Sequence, residues 1–175
     1  MRRPTPAQTV GPYFSLALDW PQAHQVTHEP PLGVAICLRG QVFDGDDLPV
    51  PDALIEIWQA NGAGDYPTRG AASGYGFGRA SVDSEGRYTF LTHKPGPVTP
   101  QGAPHIHLTL FARGLMNPLV TRLYFGDEAA RNQHDPALAQ VPLARRATLI
   151  AALTDSGYCF DIHLQGPLET VFFDV

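Results

Sequence analysis

Residues 103–111 read Ala103-Pro104-His105-Ile106-His107-Leu108-Thr109-Leu110-Phe111. Apolar residues fill the gaps in a β-branched and aromatic run, which makes the stretch a strand. Successive strand side chains point to opposite faces, so His105 and His107 share a face, ~7 Å apart at Cα. Two imidazoles placed like this can bite one metal ion, and imidazole suits iron, zinc and copper alike. The plainer alternative is a pair of half-buried, hydrogen-bonded side chains. The rest of the chain has to supply further ligands if the first reading is to hold.

Outward from that strand the pattern stays strand-like. Residues 34–43, 53–58, 87–91, 119–125, 158–164 and 169–173 carry alternating or β-branched runs bounded by Gly, Pro and Asp turns. Residues 142–153 fit a short helix or a strand equally well. Residues 61–78 are glycine-rich and too long for a hairpin turn, which marks a candidate functional loop. Short strands joined by Gly/Pro turns, with almost no helical periodicity, predict an all-β fold, an antiparallel β-sandwich. Residues 1–33, with Pro4, Pro6, Pro12, Pro21, Pro30 and Pro31, predict an extended N-terminal arm that needs a docking surface. The remaining 34–175 read as one domain.

Composition narrows the class. The chain has 175 residues, room for one substantial core, and a net charge of −5 with Lys94 as its sole lysine. That balance argues against nucleic-acid binding through bulk charge. No apolar run is long enough to span a bilayer, and the start shows no secretory pattern, so a cytoplasmic protein is expected. Cys37 and Cys159 form no disulfide framework and read as small buried hydrophobes.

Further metal donors are scarce. A cupin-type site would want a carboxylate four to six residues past the histidine pair, where Phe111, Ala112 and Arg113 stand. Neither Cys-x-x-Cys nor His-Glu-x-x-His occurs. Tyr66 and Tyr75, in the irregular loop, are the plausible phenolate donors, whereas Tyr88 and Tyr124 lie in strands and read as packing. His93, two residues after Leu91, is a weaker candidate.

At this point the ordered motifs resemble a known family. Leu38-Arg39-Gly40-x-Val42-x-Asp44, Pro49-Val50-Pro51-x-Ala53-Leu54-Ile55-Glu56-Ile57-Trp58-Gln59-Ala60-Asn61-x-x-Gly64-x-Tyr66, Asp83-Ser84-Glu85-Gly86-x-Tyr88-x-Phe90, Lys94-Pro95-Gly96-Pro97 and His105-Ile106-His107 resemble the intradiol ring-cleavage dioxygenases. Thr9-Val10-Gly11-Pro12-Tyr13-Phe14, Leu164-Gln165-Gly166 and the run from Glu169 to Asp174 resemble the α chains of two-chain members. The resemblance implies a β-sandwich, in agreement with the strand pattern. It implies a reaction in which both atoms of O2 enter between the hydroxylated carbons of protocatechuate. The product would be 3-carboxy-cis,cis-muconate, on the β-ketoadipate route of aromatic catabolism.

The resemblance also implies a site, and this sequence departs from it. Catalytic members hold ferric iron with two tyrosinates and two histidines. Tyr66, His105 and His107 match three of these, but Val98 stands where the second tyrosine belongs. Gly102 stands in place of a catalytic arginine. A valine offers no lone pair, and iron(III) is best matched by anionic oxygen, so these positions imply a vestigial site with no catalytic residue of its own. The Fe(III) would belong to a partner β chain in an αβ hetero-oligomer. This chain would line that chain's cleft with Thr9, Gly11, Pro12 and Arg122. Guanidinium is well shaped for the substrate carboxylate. Two rivals stay open: a self-sufficient non-heme iron dioxygenase with an unrecognised fourth ligand, and a non-catalytic sandwich serving as an interaction module.

Overall fold

Among the described residues the strand-rich sequence forms nine strands. In the computed structural model the described residues are 5–11, 13–18, 20–26, 33–67 and 76–174, so Pro12 and Tyr75 lie outside them. The strands are β1 (Ala35–Phe43), β2 (Leu54–Gln59), β3 (Phe77–Ser81), β4 (Arg87–His93), β5 (His105–Phe111), β6 (Leu119–Phe125), β7 (Ile150–Thr154), β8 (Gly157–Cys159) and β9 (Ile162–His163). They run as one continuous sheet in the order β3-β2-β5-β6-β7-β8-β1-β4, with β9 against β1. The two end strands, β3 and β4, approach each other, so the sheet is curled into a nearly closed barrel-like shape.

The pairing is mixed rather than uniformly antiparallel. β6 and β7, β1 and β8, and β1 and β9 pair in parallel. The β6–β7 pair needs a crossover, because parallel neighbours cannot be joined by a tight turn. Residues between Phe125 and Ile150 provide it as a 3-10 turn, two short helices, α1 (Ala129–Asn132) and α2 (Pro136–Gln140), and a second 3-10 stretch, Leu143–Leu149. Residues 142–153 are therefore both things the pattern allowed, a 3-10 helix running into β7.

Two boundaries differ from the sequence reading. β3 begins inside the presumed loop at Phe77, where Gly78 disguises it. A Cβ at Gly78 would lie 2.4 Å from Val26 Cγ2, so the strand needs glycine for close packing. Residues 169–173 are extended but form no strand. Thr170 pairs with His163 at 2.9 Å, whereas Phe173 donates to the Val120 carbonyl at 2.8 Å, so no single neighbour gives them a ladder.

Residues 20–26 cover the gap between β3 and β4. The Ala23 carbonyl accepts from Arg79 N at 2.8 Å, His24 O accepts from Leu91 N at 3.0 Å, and Val26 N donates to Leu91 O at 2.8 Å. Ala23 and Val26 are buried there, and the Arg79 guanidinium lies 4.8 Å from the centre of the Trp20 ring while pairing with Glu56. These contacts satisfy backbone groups that edge strands leave unpaired. The core lies inside the curled sheet, with Leu38, Ile55, Ile57, Phe90, Ile106, Leu108, Leu123 and Phe125 fully buried. Each such side chain contributes about 1.5–3 kcal/mol by leaving water. Cys37 and Cys159 are free thiols and only partly buried, not the buried side chains their strand settings suggest.

Candidate functional site

On β5 burial alternates strictly: Ile106, Leu108 and Leu110 enter the core and His105, His107 and Thr109 face outward. The antiparallel register puts Trp58 of β2 and Arg122 of β6 directly beside His107, and Tyr124 beside His105. Paired residues share a face, so Trp58, His107 and Arg122 form one row across three strands. The His105 and His107 rings are 4.9 Å apart between centres, and Tyr66 lies 6.3 Å from His107 and 6.0 Å from Trp58.

The loop that delivers Tyr66 is held locally. The Asn61 side-chain oxygen accepts from Ala63 N at 2.8 Å and from Asp65 N at 3.0 Å. Gly64 has φ +91, and a Cβ there would sit 2.2 Å from the Pro97 carbonyl. That approach brings Tyr66 alongside Val98 in a cavity of about 290 Å³ lined also by His105, His107, Gly102 and Arg122. The structure thus gathers Tyr66, Val98, His105 and His107 in one place. It also adds Arg122, which lines a second cavity of about 430 Å³ with Val120, Val141, Val171 and Phe173.

The residues proposed to meet substrate are not gathered. The Thr9 hydroxyl lies 3.4 Å from Gly114 N at the tip of the β5–β6 hairpin and caps Gly11 N at 3.1 Å. Arg122 is on the body of β6, facing the histidines. His93 is not a ligand: its ring is buried, with Nε2 3.1 Å from Gln59 Nε2 and 3.2 Å from the Ala60 carbonyl.

Asp135 and Tyr124 belong to the site although the strand pattern passes over them. Asp135 is buried and accepts from Ala103 N, Ala137 N, Leu138 N and the Tyr124 hydroxyl, all within 3.1 Å. Burial opposes its charge, but the amides of Ala103 and Leu138, with the Tyr124 hydroxyl and Ala137 amide, outweigh that and hold it below the usual carboxylate range. Ala103, so held, uses its carbonyl to accept from His105 Nδ1 at 2.9 Å, which fixes the orientation of that ring. The Asp135-Pro136 pair is a helix-start signal, N-cap then proline at N1, and it could have located this carboxylate.

Electrostatics decides what the pocket can hold. Burial, then His105 and then Arg122, push His107 down to about 4. Burial foremost, with Arg122 also acting, lowers His105. Burial raises Tyr66 despite the opposing pull of Arg122, and its buried hydroxyl has no partner among the described residues. Tyr124 is pushed up to about 12, chiefly by burial.

Neutral imidazoles suit a metal, but the whole donor set does not fit a ferric ion. It offers one phenol that resists losing its proton, an isopropyl group at Val98, and a fixed guanidinium. A ferric ion is best matched by anionic oxygen donors, and this set holds a single phenol that could become one. No step of a reaction is assigned to iron in this pocket.

The same shifts predict pH behaviour. His93, His105 and His107 all titrate lower when folded than in the unfolded chain, His93 chiefly because of burial. Below pH ~6.5 the unfolded chain takes up protons that the folded chain refuses, so stability falls as pH drops from ~6.5 toward 4. Urea unfolding at pH 7.5 and pH 5 should show a lower midpoint at pH 5. His107→Gln should flatten that difference, and an unchanged difference would refute the assignment.

Comparison with known proteins gives the family. A family model described as Dioxygenase matches residues 10–166. The protocatechuate 3,4-dioxygenase alpha chain of Burkholderia cepacia is 43% identical, the alignment covering 98% of this chain and 97% of that one. The beta chain from the same organism is 37% identical, over 81% of this chain and 68% of its own length. The dioxygenase domain of a dioxygenase–carbohydrate-binding fusion from Streptomyces sp. SirexAA-E superposes with a TM-score of 0.64 at 29% identity, covering 94% of this chain and 99% of that domain. From the strand order, the paired histidines beside Tyr66 and these likenesses together, the chain belongs to the intradiol ring-cleavage dioxygenase family.

Proposed function

We propose that this chain is the α-type, non-iron-binding subunit of a protocatechuate 3,4-dioxygenase, paired with a β chain that holds the Fe(III). The family is iron-dependent, and the observation that carries the reading is Val98 beside Tyr66, His105 and His107, with Arg122 lining the same cavity. A subunit whose own pocket refuses iron has to act with one that accepts it. The full-length likeness to an alpha chain and the partial likeness to a beta chain support that division.

In this reading the arm and strand face do separate jobs. Thr9, Gly11 and Pro12 form a wall of the partner's cleft, where glycine allows close backbone approach and proline lowers the ordering cost on docking. Arg122 supplies positive charge for the carboxylate of protocatechuate, and O2 is the second substrate. The exposed Val10, Tyr13 and Leu16 give that arm an apolar surface for the partner. Residues 1–33 act as the arm and 34–175 as the domain, whose curled sheet packs as the two layers of a sandwich. No helix among the described residues is long and apolar enough to cross a membrane, and we place the assembly in the cytoplasm.

Co-expression with an iron-bearing β chain tests this. The two chains should co-purify and cleave protocatechuate, and the single chain should show neither the burgundy tyrosinate–iron absorption nor turnover. In the complex, Arg122→Ala or removal of residues 1–13 should lower kcat/KM by at least about tenfold, or ~1.4 kcal/mol. Iron-dependent turnover by the single chain would sink the reading. Full activity of the truncated complex would reduce the arm to a bystander.

A further inference from the structure

Arg79, in the middle of β3, is where the N-terminal arm meets the barrel. Its side chain is mostly buried, and its cross-strand neighbour on β2 is Glu56. Nε and Nη2 both donate to Glu56 Oε1. That pairing sets the plane of the guanidinium and leaves Nη1 to donate to the Leu18 carbonyl at 2.8 Å. The same residue holds the arm at two further places. Its amide donates to the Ala23 carbonyl at 2.8 Å, and its guanidinium lies 4.8 Å from the centre of the Trp20 ring. The Phe77 ring, 5.6 Å from the guanidinium, stacks on Trp20 with planes 18° apart, so the cation and both rings form one cluster.

This grip sits at the root of the arm. Among the described residues, the next hydrogen bond to the barrel towards the N-terminus is the 3.4 Å contact from Gly114 N to Thr9 Oγ1. Between them lie the 3-10 turn Phe14–Ala17 and the exposed Val10, Tyr13 and Leu16. Where those residues can reach is therefore set by how Leu18 and Trp20 are held. A cross-strand ion pair needs only Glu56, yet Arg79 turns its remaining contacts onto the arm. A lysine could meet Glu56 or the Leu18 carbonyl. A point charge cannot keep two donors on one and a flat face against Trp20.

We propose that Arg79 is a positioning residue that aims the arm at the partner subunit. It touches neither substrate nor the reacting atoms and acts through Leu18 and Trp20. With the root clamped, Thr9, Gly11 and Tyr13 arrive already directed, and the ordering cost of docking falls. The clamp stands on this chain's own residues, whereas its effect on turnover rests on the two-chain reading given above. The Ala23 bond belongs to the backbone and survives any change of the Arg79 side chain, so the clamp can be opened while the segment over the β3–β4 gap stays in place.

The test digests the folded full-length chain with chymotrypsin and follows loss of the arm by mass spectrometry, alongside urea unfolding. Tyr13, Phe14 and Leu16 offer cleavage sites on the far side of the clamp. Arg79→Met combined with Glu56→Gln removes both charges, so no carboxylate is stranded. It should speed arm loss at least about fivefold, while Glu56→Gln alone keeps an acceptor for Arg79 and should match the wild type. Arm loss at the wild-type rate in the double variant, or rising only in step with a fallen urea midpoint, overturns the clamp. Should the double variant fail to fold, Trp20→Ala changes no strand residue and should release the arm at Tyr13 in the same way; a wild-type rate there also overturns it. In the complex with a β chain, the double variant should raise KM for protocatechuate at least about fivefold and leave kcat within about twofold. A released arm with unchanged KM would overturn the aiming role. If the wild-type complex does not form, the two-chain reading fails while the digestion still decides the clamp.

Discussion

Asp135→Ala is expected to cost about 4 kcal/mol, roughly 1 from the lost N-cap and the rest from stranded donors. Asp135 is 3% exposed, so the Ala103 amide would be left buried without a partner and the Tyr124 hydroxyl would lose its acceptor. The loss would also reach the candidate site, because Ala103 holds His105 through its carbonyl. Asp135→Asn keeps an acceptor for the helix amides and should lose about half as much. Denaturant midpoints of the two variants check the ordering. A loss below about 1 kcal/mol for the alanine would mean that the carboxylate is not the hub described.

Gly40→Ala should be worse, at about 5 kcal/mol or outright failure to fold. Gly40 has no unusual backbone angle; the constraint is space. A Cβ there would stand 1.9 Å from the Phe160 carbonyl oxygen and 2.8 Å from the Tyr88 hydroxyl. Neither can step aside easily, since Tyr88 donates to that same carbonyl at 2.5 Å and both residues are buried in the core. The added methyl group would therefore part β1 from the segment after β8. Tyr88→Phe removes only the hydrogen bond and should cost about 1–2 kcal/mol. Soluble yield and urea unfolding distinguish them, and a stable Gly40→Ala protein would contradict the packing.

The histidine strand was legible because its period of two is local: alternate apolar residues enter the core whatever the neighbours are. β3 was not legible, because Gly78 looks like a loop residue until Val26 is placed against it. The extended tail at 169–173 has strand composition, but a strand also needs one continuous partner. Tyr66 and Val98 could be set side by side only through the family resemblance, since their approach depends on Gly64 meeting Pro97. The resemblance implies a binding role for Arg122, yet its position beside His107 follows from hairpin register, which local sequence does not carry. Asp135 had a readable helix-start signal, but nothing nearby announced that Tyr124 and Ala103 would converge on it.

The segment bridging β3 and β4 has a consequence for biogenesis. Ala23 and His24 leave the ribosome long before Arg79 and Leu91, with which they must bond. The nascent chain therefore has to keep this piece idle until two distant strands are in place, which makes its docking a late, long-range folding event. Until then both sheet margins stand bare at synthesis. At high expression, a segment from one copy can settle on the margins of another, so soluble yield should depend on how quickly each molecule fastens its own.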